Sequence, residues 1–355
     1  MSKTTRSMTF NSLLTSTDAA FHKNGAPQDA IFNAIPLLEA LRRKKSFKVV
    51  KKGGEVIKIN LTTEMNSNGS SYAGYEKKAL VPQDPHTLGF DQWRQYYWDT
   101  SISGLEEFQN SGKAKIFDLL AEKKMNTYMS AQEDLNADLW DLTGITKATG
   151  VTGNGGKNIN SVPLLVQSVP GTSNVVHNIT SSSTLNTWWL NRTFDGSAFT
   201  SQKLYVNGIR HAVNTCNRGK GGGSVDMIVF DQNSYELLES ALDDKVRYMQ
   251  TKNASAGFEA INWKGVECIW DIYVPDTEAG ANGGPDVTPA NGAIYLLNSN
   301  CLKLYVGKDF ESTPFVDEYV NGQDAKANMM LFYGQLITDN RRKLGVVENC
   351  ELTLT

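Results

Sequence analysis

The sequence predicts an α+β chain built along one long helix, and three observations predict it. Residues 113–143 hold no proline or glycine, and Phe117, Leu120, Ala121, Lys124, Tyr128, Ala131, Leu135 and Leu139 recur at three- and four-residue steps. That is the spacing of one helical face. Residues 47–61 alternate as strands do, around Gly53-Gly54. The tail 293–355 contains four strand-like stretches, 294–297, 302–306, 329–337 and 346–354. With Ser111 as a cap and Gly144 as a left-handed stop, the helix covers 111–143, roughly 45 Å at 1.5 Å per residue. A small domain is narrower than that, so the helix is a spine that needs other elements laid along it.

The chain has 355 residues, 40% of them apolar and 21% charged, the proportions of a globular protein with a real core. That length allows two or three ordinary domains or one elaborate one. Thirty glycines against ten prolines point to long ordered loops and β-structure. A net charge of −3 excludes a chain that draws nucleic acid to its whole surface. The start MSKTTRSMTF has no signal-peptide run, and no window reaches eighteen apolar residues. Synthesis and folding are therefore expected in a cytoplasm, with no membrane partner. Cys216, Cys268, Cys301 and Cys350 form no CxxC pair and are expected as small buried hydrophobes in preference to a metal site. The Asn-x-Thr sequons at Asn60, Asn178 and Asn191 carry little weight without a secretory route.

In chain order, residues 1–27 are polar and small, with Phe10, Leu13, Leu14 and Phe21 as anchors; this is an arm that orders against something else. Residues 29–45 read as an amphipathic helix with Ile31, Ile35, Leu38 and Leu41 on one face, interrupted or kinked at Pro36. Arg42, Arg43, Lys44, Lys45, Lys48, Lys51 and Lys52 crowd the next stretch. They are either a solvated helix end and edge strand, or a patch that meets phosphates or an acidic neighbour. Residues 47–61 carry a hairpin signal at Gly53-Gly54, 62–74 are small and polar, and a second strand-like stretch follows at 75–81. The expectation is a two-stranded finger that rests on another surface, being marginal alone.

Phe90, Trp93, Tyr96, Tyr97, Trp98, Ile102, Leu105 and Phe108 precede the spine and are expected to be core at the finger's root. A base-stacking platform would need more cations among the rings. Beyond the spine come a glycine-rich loop at 150–160, a polar loop at 174–186 and Trp188-Trp189. An amphipathic helix at 199–216 follows, with Leu204, Ile209 and Val213 on its stripe. A basic glycine loop at 218–223 leads to a buried strand at 227–230, a helix at 233–242, and further strands through 263–274.

The candidate chemical motifs fail one by one. In Gly153-Asn-Gly-Gly-Lys157, a Walker loop would need glycine at Val151 and a hydroxyl at Asn158. Gly219 to Gly223 enters a strand where a dinucleotide fingerprint opens a helix. Asp226 stands where a nucleophile elbow after Ser224 needs glycine. His22, His86, His177 and His211 are far apart in sequence, and surface or cap positions are expected for them. Glu106-Glu107 and Asp243-Asp244 sit at helix ends or turns, where acids are common. No constellation forces an enzyme, and no catalytic residue, cofactor or metal is expected.

Four stretches carry a resemblance. Thr187-Trp-Trp-Leu-Asn191 resembles a Trp-Trp-x-Asn element, and 256–265 followed by Ile269-Trp-Asp271 resembles a Gly-Phe…Lys-Gly…Asp run. Ile294-Tyr-Leu-Leu-Asn298 is similar to a Tyr-x-Leu-Asn strand, and Asp339-Asn-Arg-Arg-Lys-Leu-Gly345 to a C-terminal Asn-Arg-Arg…Gly signature. In this order they resemble the major capsid protein of tailed bacteriophages, the Hong Kong 97-type shell subunit, over nearly the whole chain.

The resemblance implies an N-terminal arm and first helix at 1–46 and an extended β-hairpin loop at 47–92. It implies a peripheral domain with the spine helix at 93–150 and 293–355, and an axial domain with connecting loops at 151–292. It further implies self-assembly into pentamers and hexamers of an icosahedral head around double-stranded DNA. The expected partners are copies of itself, a separate scaffolding protein, portal, and decoration or head-completion proteins. The expected location is the virion capsid, assembled in the host bacterial cytoplasm. Packaged DNA is met by weak, non-specific contact. The candidate inter-subunit or DNA-facing residues are Arg42, Arg43, Lys44, Lys45, Lys51, Lys52, Arg341 and Arg342. The residues give no basis for carrying over the lysine–asparagine crosslink of some members. Two rivals remain: an encapsulin-like nanocompartment shell, and a monomeric carbohydrate-binding or carbohydrate-active β-rich protein suggested by seven tryptophans and Asn/Gly loops.

Overall fold

The computed structural model describes residues 35–44, 46–51, 53–66, 68–77, 82–109, 119–143, 145–219, 221–242, 261–275, 292–313, 316–317 and 324–350. In chain order the elements are α1 (Pro36–Arg43), β1 (Phe47–Val49), β2 (Val56–Thr62), β3 (His86–Gln92), β4 (Arg94–Ser103), α2 (Gly104–Gln109) and α3 (Leu119–Trp140). Then come β5 (Asn174–Val176), β6 (Ile179–Ser181), β7 (Arg192–Asp195), α4 (Gln202–Cys216), β8 (Met227–Phe230), α5 (Gln232–Leu242), β9 (Ile261–Trp263) and β10 (Val266–Trp270). The last strands are β11 (Gly292–Leu297), β12 (Leu302–Ser312), β13 (Val316–Asp317), β14 (Ala325–Thr338) and β15 (Gly345–Cys350). The chain divides into two compact units, one containing Gln95–Leu135 and Lys308–Tyr333, the other Ala34–Arg94, Asn136–Gly307 and Gly334–Thr355.

A six-stranded mixed sheet, β7–β15–β11–β8–β10–β9, is the frame of the larger unit. β8 runs parallel to β10 and antiparallel to β11, and β15 runs parallel to β7. Every residue of β8 and β11 is buried, as in strands covered on both faces. Tyr205, Ile209 and Ala212 of α4 and Leu238 of α5 join Phe230, Ile294 and Val347 in one core cluster. In α4 the buried face is Tyr205, Ile209 and Val213, while Leu204 is 48% exposed, one position off the stripe expected for it. Gly208 permits this packing, because a Cβ there would stand 2.2 Å from the Phe199 ring.

Of the two expectations for Pro36, the kink is corrected: Pro36 opens α1, with Ile35 before it outside the helix, since the first turn needs no proline N–H. Leu37, Leu38 and Leu41 are buried; residues 29–34 lie outside the described residues. The hairpin at Gly53-Gly54 is also corrected. β1 lies parallel to β12, Phe47 opposite Leu304, and β2 pairs instead with β3, from Val56 opposite Gln92 to Thr62 opposite His86. The finger exists, but its second strand is 86–92. Residues 75–77 form no strand, and 78–81 lie outside the described residues.

Residues 174–181, expected as loop, form the β5–β6 hairpin with Val176 opposite Ile179. Its turn residues His177 and Asn178 have φ of 53° and 60°, the left-handed pair of a tight hairpin turn. The spine helix stops at Trp140, short of 143, because the Thr143 N–H donates to the Asp141 carboxylate at 2.7 Å and not to the helix backbone. Residues 110–118 and Gly144 lie outside the described residues. Ala131, Leu135 and Leu139 are fully buried, as their spacing predicts, while Met125 is exposed; Lys124 and Tyr128 are both half-buried.

The smaller unit packs around aromatic rings. β14 neighbours β4, β12 and β13. The Phe310 ring lies 5.8 Å from Trp98, 5.6 Å from Tyr128 and 5.3 Å from Phe332, centroid to centroid. Trp98 Nε1 donates to Asp134 at 2.8 Å, and the Thr100 and Thr127 hydroxyls are 2.8 Å apart. The aromatic run before the spine is thus core on one face only: Ile102 is buried, whereas Tyr97, Leu105 and Phe108 are exposed. Lys123 Nζ meets Glu106 at 2.8 Å. Burial opposes ionisation of Glu106, but Lys123 and the Ser103 N–H outweigh it and hold the carboxyl below its usual range.

Candidate functional site: the ribbon root and the basic clusters

The finger formed by β2 and β3 is held at its root by buried polar groups of the larger unit. β3 supplies Asp91, the β5–β6 turn supplies His177, and β14 supplies Gln335 and Thr338. The Thr338 N–H donates to His177 Nε2 at 3.0 Å, so that nitrogen is the bare one and Nδ1 carries the hydrogen that Asp91 Oδ2 accepts. Asn160 Nδ2 donates to the same Asp91 oxygen at 2.9 Å and to the Leu336 carbonyl at 3.0 Å. The Asn160 N–H reaches Gln335 Oε1 at 2.8 Å, and Gln335 Nε2 reaches the Gln92 carbonyl at 3.3 Å. The Phe90 N–H closes the set on the His177 carbonyl at 3.1 Å. Three separate segments are fastened to one strand end. At Gly89 a Cβ would come within 3.3 Å of Ile179 Cδ1 and 3.4 Å of the His177 carbonyl, which explains glycine inside this strand.

A second buried hub is Arg341. Its Nε donates to the Leu165 carbonyl at 2.8 Å, Nη1 to the Trp189 carbonyl at 3.0 Å, and Nη2 to Asn191 Oδ1 at 3.0 Å. Burial pushes its pKa down to about 9, still above neutrality, so the planar fork remains charged and fully engaged. Asp271 is a third. Its Oδ2 accepts from Asn136 Nδ2 at 2.9 Å and Trp140 Nε1 at 3.1 Å, and its Oδ1 accepts the Tyr273 N–H at 3.1 Å. Burial raises its pKa against the pull of those donors.

The basic residues picked out in the sequence separate. Arg43 pairs with Glu267. Lys44 Nζ lies 3.3 Å from Asp226 and 3.4 Å from Glu267, and Arg42 stands over the Phe47 ring. This cluster does meet acidic groups, but those of its own chain. Arg341 is fully buried and so is withdrawn from any neighbour or phosphate. Lys51 and Arg342 are exposed, whereas Lys45 and Lys52 lie outside the described residues. Of the six that are described, Arg341 is buried away from the surface on which the others were expected.

Sequence reasoning missed His177, which is 3% exposed where a surface or cap position was expected. It likewise missed Asp91, Asn160 and Gln335. A histidine directly before Asn in a short β-rich run is a turn signal that would have found the first. All four cysteines are free and buried, as expected for small hydrophobes, and desolvation pushes the Cys216 and Cys268 thiols up to about 12. Among the described residues no group of three or more His, Cys, Asp or Glu is placed to hold a metal ion, and no helix is long and apolar enough to cross a membrane.

The sequence matches no family model and no curated protein. Among solved structures, the chain is similar to a subunit of the cyanophage A-1(L) capsid asymmetric unit. Identity is 13%, covering 91% of this chain and 95% of that one, at a TM-score of 0.57. It is similar to the capsid of Myoviridae phage XM1 at 10% identity over 98% and 100% of the two chains, TM-score 0.55. It is also similar to the encapsulin of Synechococcus elongatus PCC 7942 at 11% identity over 95% and 97%, TM-score 0.54. The fold is the Hong Kong 97-type capsid fold.

Proposed function

We propose that the chain is the major capsid protein of a tailed phage, a structural subunit that self-assembles into the pentamers and hexamers of an icosahedral head around double-stranded DNA. The observation that carries this reading is the β-ribbon, firmly fastened at one end and uncovered beyond it. Met65 is 89% exposed and Tyr72 58%, between strands whose root is buried and hydrogen-bonded. Holding a ribbon in place while its apolar residues face water is unfavourable for a monomer; a neighbouring subunit offers the cover. The capsid likenesses of the fold supply the prior. Permanent assemblies bury more than about 2,000 Å² per interface, an area that extensions reach without a large flat patch. The net charge of −3 suits a wall that contains DNA without gripping it.

On this reading the β2–β3 ribbon is the extended loop, the smaller unit belongs to the peripheral domain and the six-stranded sheet belongs to the axial domain. Assembly takes place in the host cytoplasm with a separate scaffolding protein, and portal and decoration proteins complete the head. No catalysis is part of the role. The encapsulin likeness favours a second reading, a shell that encloses protein cargo. Sedimentation and negative-stain microscopy of the purified protein test both. Shells, rings or tubes are expected, and a monomer at every concentration overturns the proposal. Particles that carry DNA support the phage head; particles that carry an enzyme support the compartment.

A further inference from the structure

We propose that the glycine-rich residues 217–219 and 221–224, with the turn at 340–342, form a surface for the phosphodiester backbone of nucleic acid. This rests on the capsid reading, which brings a duplex to the chain. Gly219, Gly221, Gly222 and Gly223 have φ of 98°, 81°, 73° and 74°, a left-handed course closed to other residues without strain. Three of the loop's carbonyls, at Asn217, Gly219 and Gly222, accept from its own chain. Gly219 O accepts from Lys343 Nζ at 3.1 Å, and Gly222 O accepts from Asn298 Nδ2 at 2.7 Å. Gly221, Gly222 and Gly223 are exposed residues, and among the described residues no acceptor takes their N–H groups. Successive backbone N–H groups with inward carbonyls are a donor surface for anions.

Side chains extend it. Asn300 Nδ2 lies 2.6 Å from where a Cβ of Gly223 would be, and Asn340 Nδ2 lies 3.7 Å from that of Gly222. Asn340 Oδ1 is already taken by the Arg342 N–H at 3.2 Å, so its amide hydrogens are the free end. Arg218 and Arg342 are exposed, and no described carboxylate pairs with either. The carboxylates that adjoin this surface in sequence are neutralised inside the chain. Asp226 is held by Lys44 at 3.3 Å and by the Ser299 N–H at 2.9 Å, and Asp339 by Lys303. The result is a face of donors and cations with its acids turned away.

Phosphate fits better than an acidic protein. Protein interfaces are anchored by aromatic and apolar side chains, and no large hydrophobic residue is exposed at 217–224, 298–303 or 339–343. Contacts to a nucleic-acid backbone need none.

The test is fluorescence anisotropy of a labelled random-sequence duplex titrated with the full chain between about 50 and 200 mM salt. The unsubstituted chain is expected to bind weakly, and R218Q/R342Q to bind about tenfold more weakly at the lower salt, with the log–log salt slope reduced by about two. Both arginines are exposed, and an unchanged circular dichroism melt verifies folding; K264Q, in the exposed turn between β9 and β10, should leave the slope unaltered. An unaltered slope in the double variant overturns the proposal. So does tighter displacement by polyglutamate than by unlabelled duplex, which points to an acidic protein partner. The measurement does not require assembly. Shells from the same preparations, scored by sedimentation, therefore report on the capsid reading separately from this surface.

Discussion

Three hydrogen bonds reach the Asp271 carboxyl, from Asn136, Trp140 and the Tyr273 N–H, and the Leu37 N–H also favours its charged form. An ionised carboxylate satisfies all three, yet burial raises its pKa, so ionisation costs free energy in the folded chain. With the folded value above the unfolded one, the folded state holds the proton more tightly. This contribution to stability is full below the unfolded pKa and is lost as pH rises through the folded one. Asp271→Asn removes the titration but places an amide NH2 against Asn136 and Trp140 or against Tyr273. The expected result in urea unfolding is a loss of about 1–3 kcal/mol at neutral pH, with a flatter stability profile between acid and neutral pH. An unchanged midpoint would show that the donors find water instead.

At the scale of elements, the ribbon root makes a similar demand of three segments at once. His177→Leu keeps the volume but strands the Thr338 N–H and leaves the Asp91 carboxylate with the Asn160 amide alone. Amide exchange in β2 and β3 should quicken by at least about tenfold, while β8 and β11 keep their protection. Equal loss in both sheets would mean the root is part of the global core and not a local fastening. Much of this architecture was legible. Ala131, Leu135 and Leu139 showed the spine through their 3.6-residue period, and Met227 to Phe230 showed a central strand through continuous apolarity. The four stretches behind the capsid resemblance contain Trp189, Asn191, Asp271, Asn298 and Arg341, each of which the structure buries in hydrogen bonds. Those side chains tie loops that have no periodicity, so type and order stand out where pattern is absent. β3 was not legible because its hydrophobic content is slight and Gly89 interrupts it. The root network was not legible because Asp91, Asn160, His177 and Gln335 are joined only by folding. Arg341 read as a surface cation because composition cannot tell a buried guanidinium from an exposed one.

For the whole molecule, the capsid reading divides its surface into parts needed for folding and parts needed only for assembly. The ribbon beyond Thr62 and before His86 belongs to the second class. Met65, Tyr72 and Tyr75 are exposed, and removing exposed side chains forfeits little buried area. Replacing 63–85 by Asn-Gly, which suits a two-residue hairpin turn between β2 and β3, should leave the thermal midpoint of the unassembled chain within a few degrees. The same variant should fail to form shells in sedimentation, because the surface it would lend to a neighbour is gone. A large drop in the midpoint would mean that the tip folds back on its own subunit. Normal shells from the shortened chain would mean that the ribbon is not the assembly element, and the exposed residues of the smaller unit, Tyr97, Leu105 and Phe108, would then be the surfaces to substitute next.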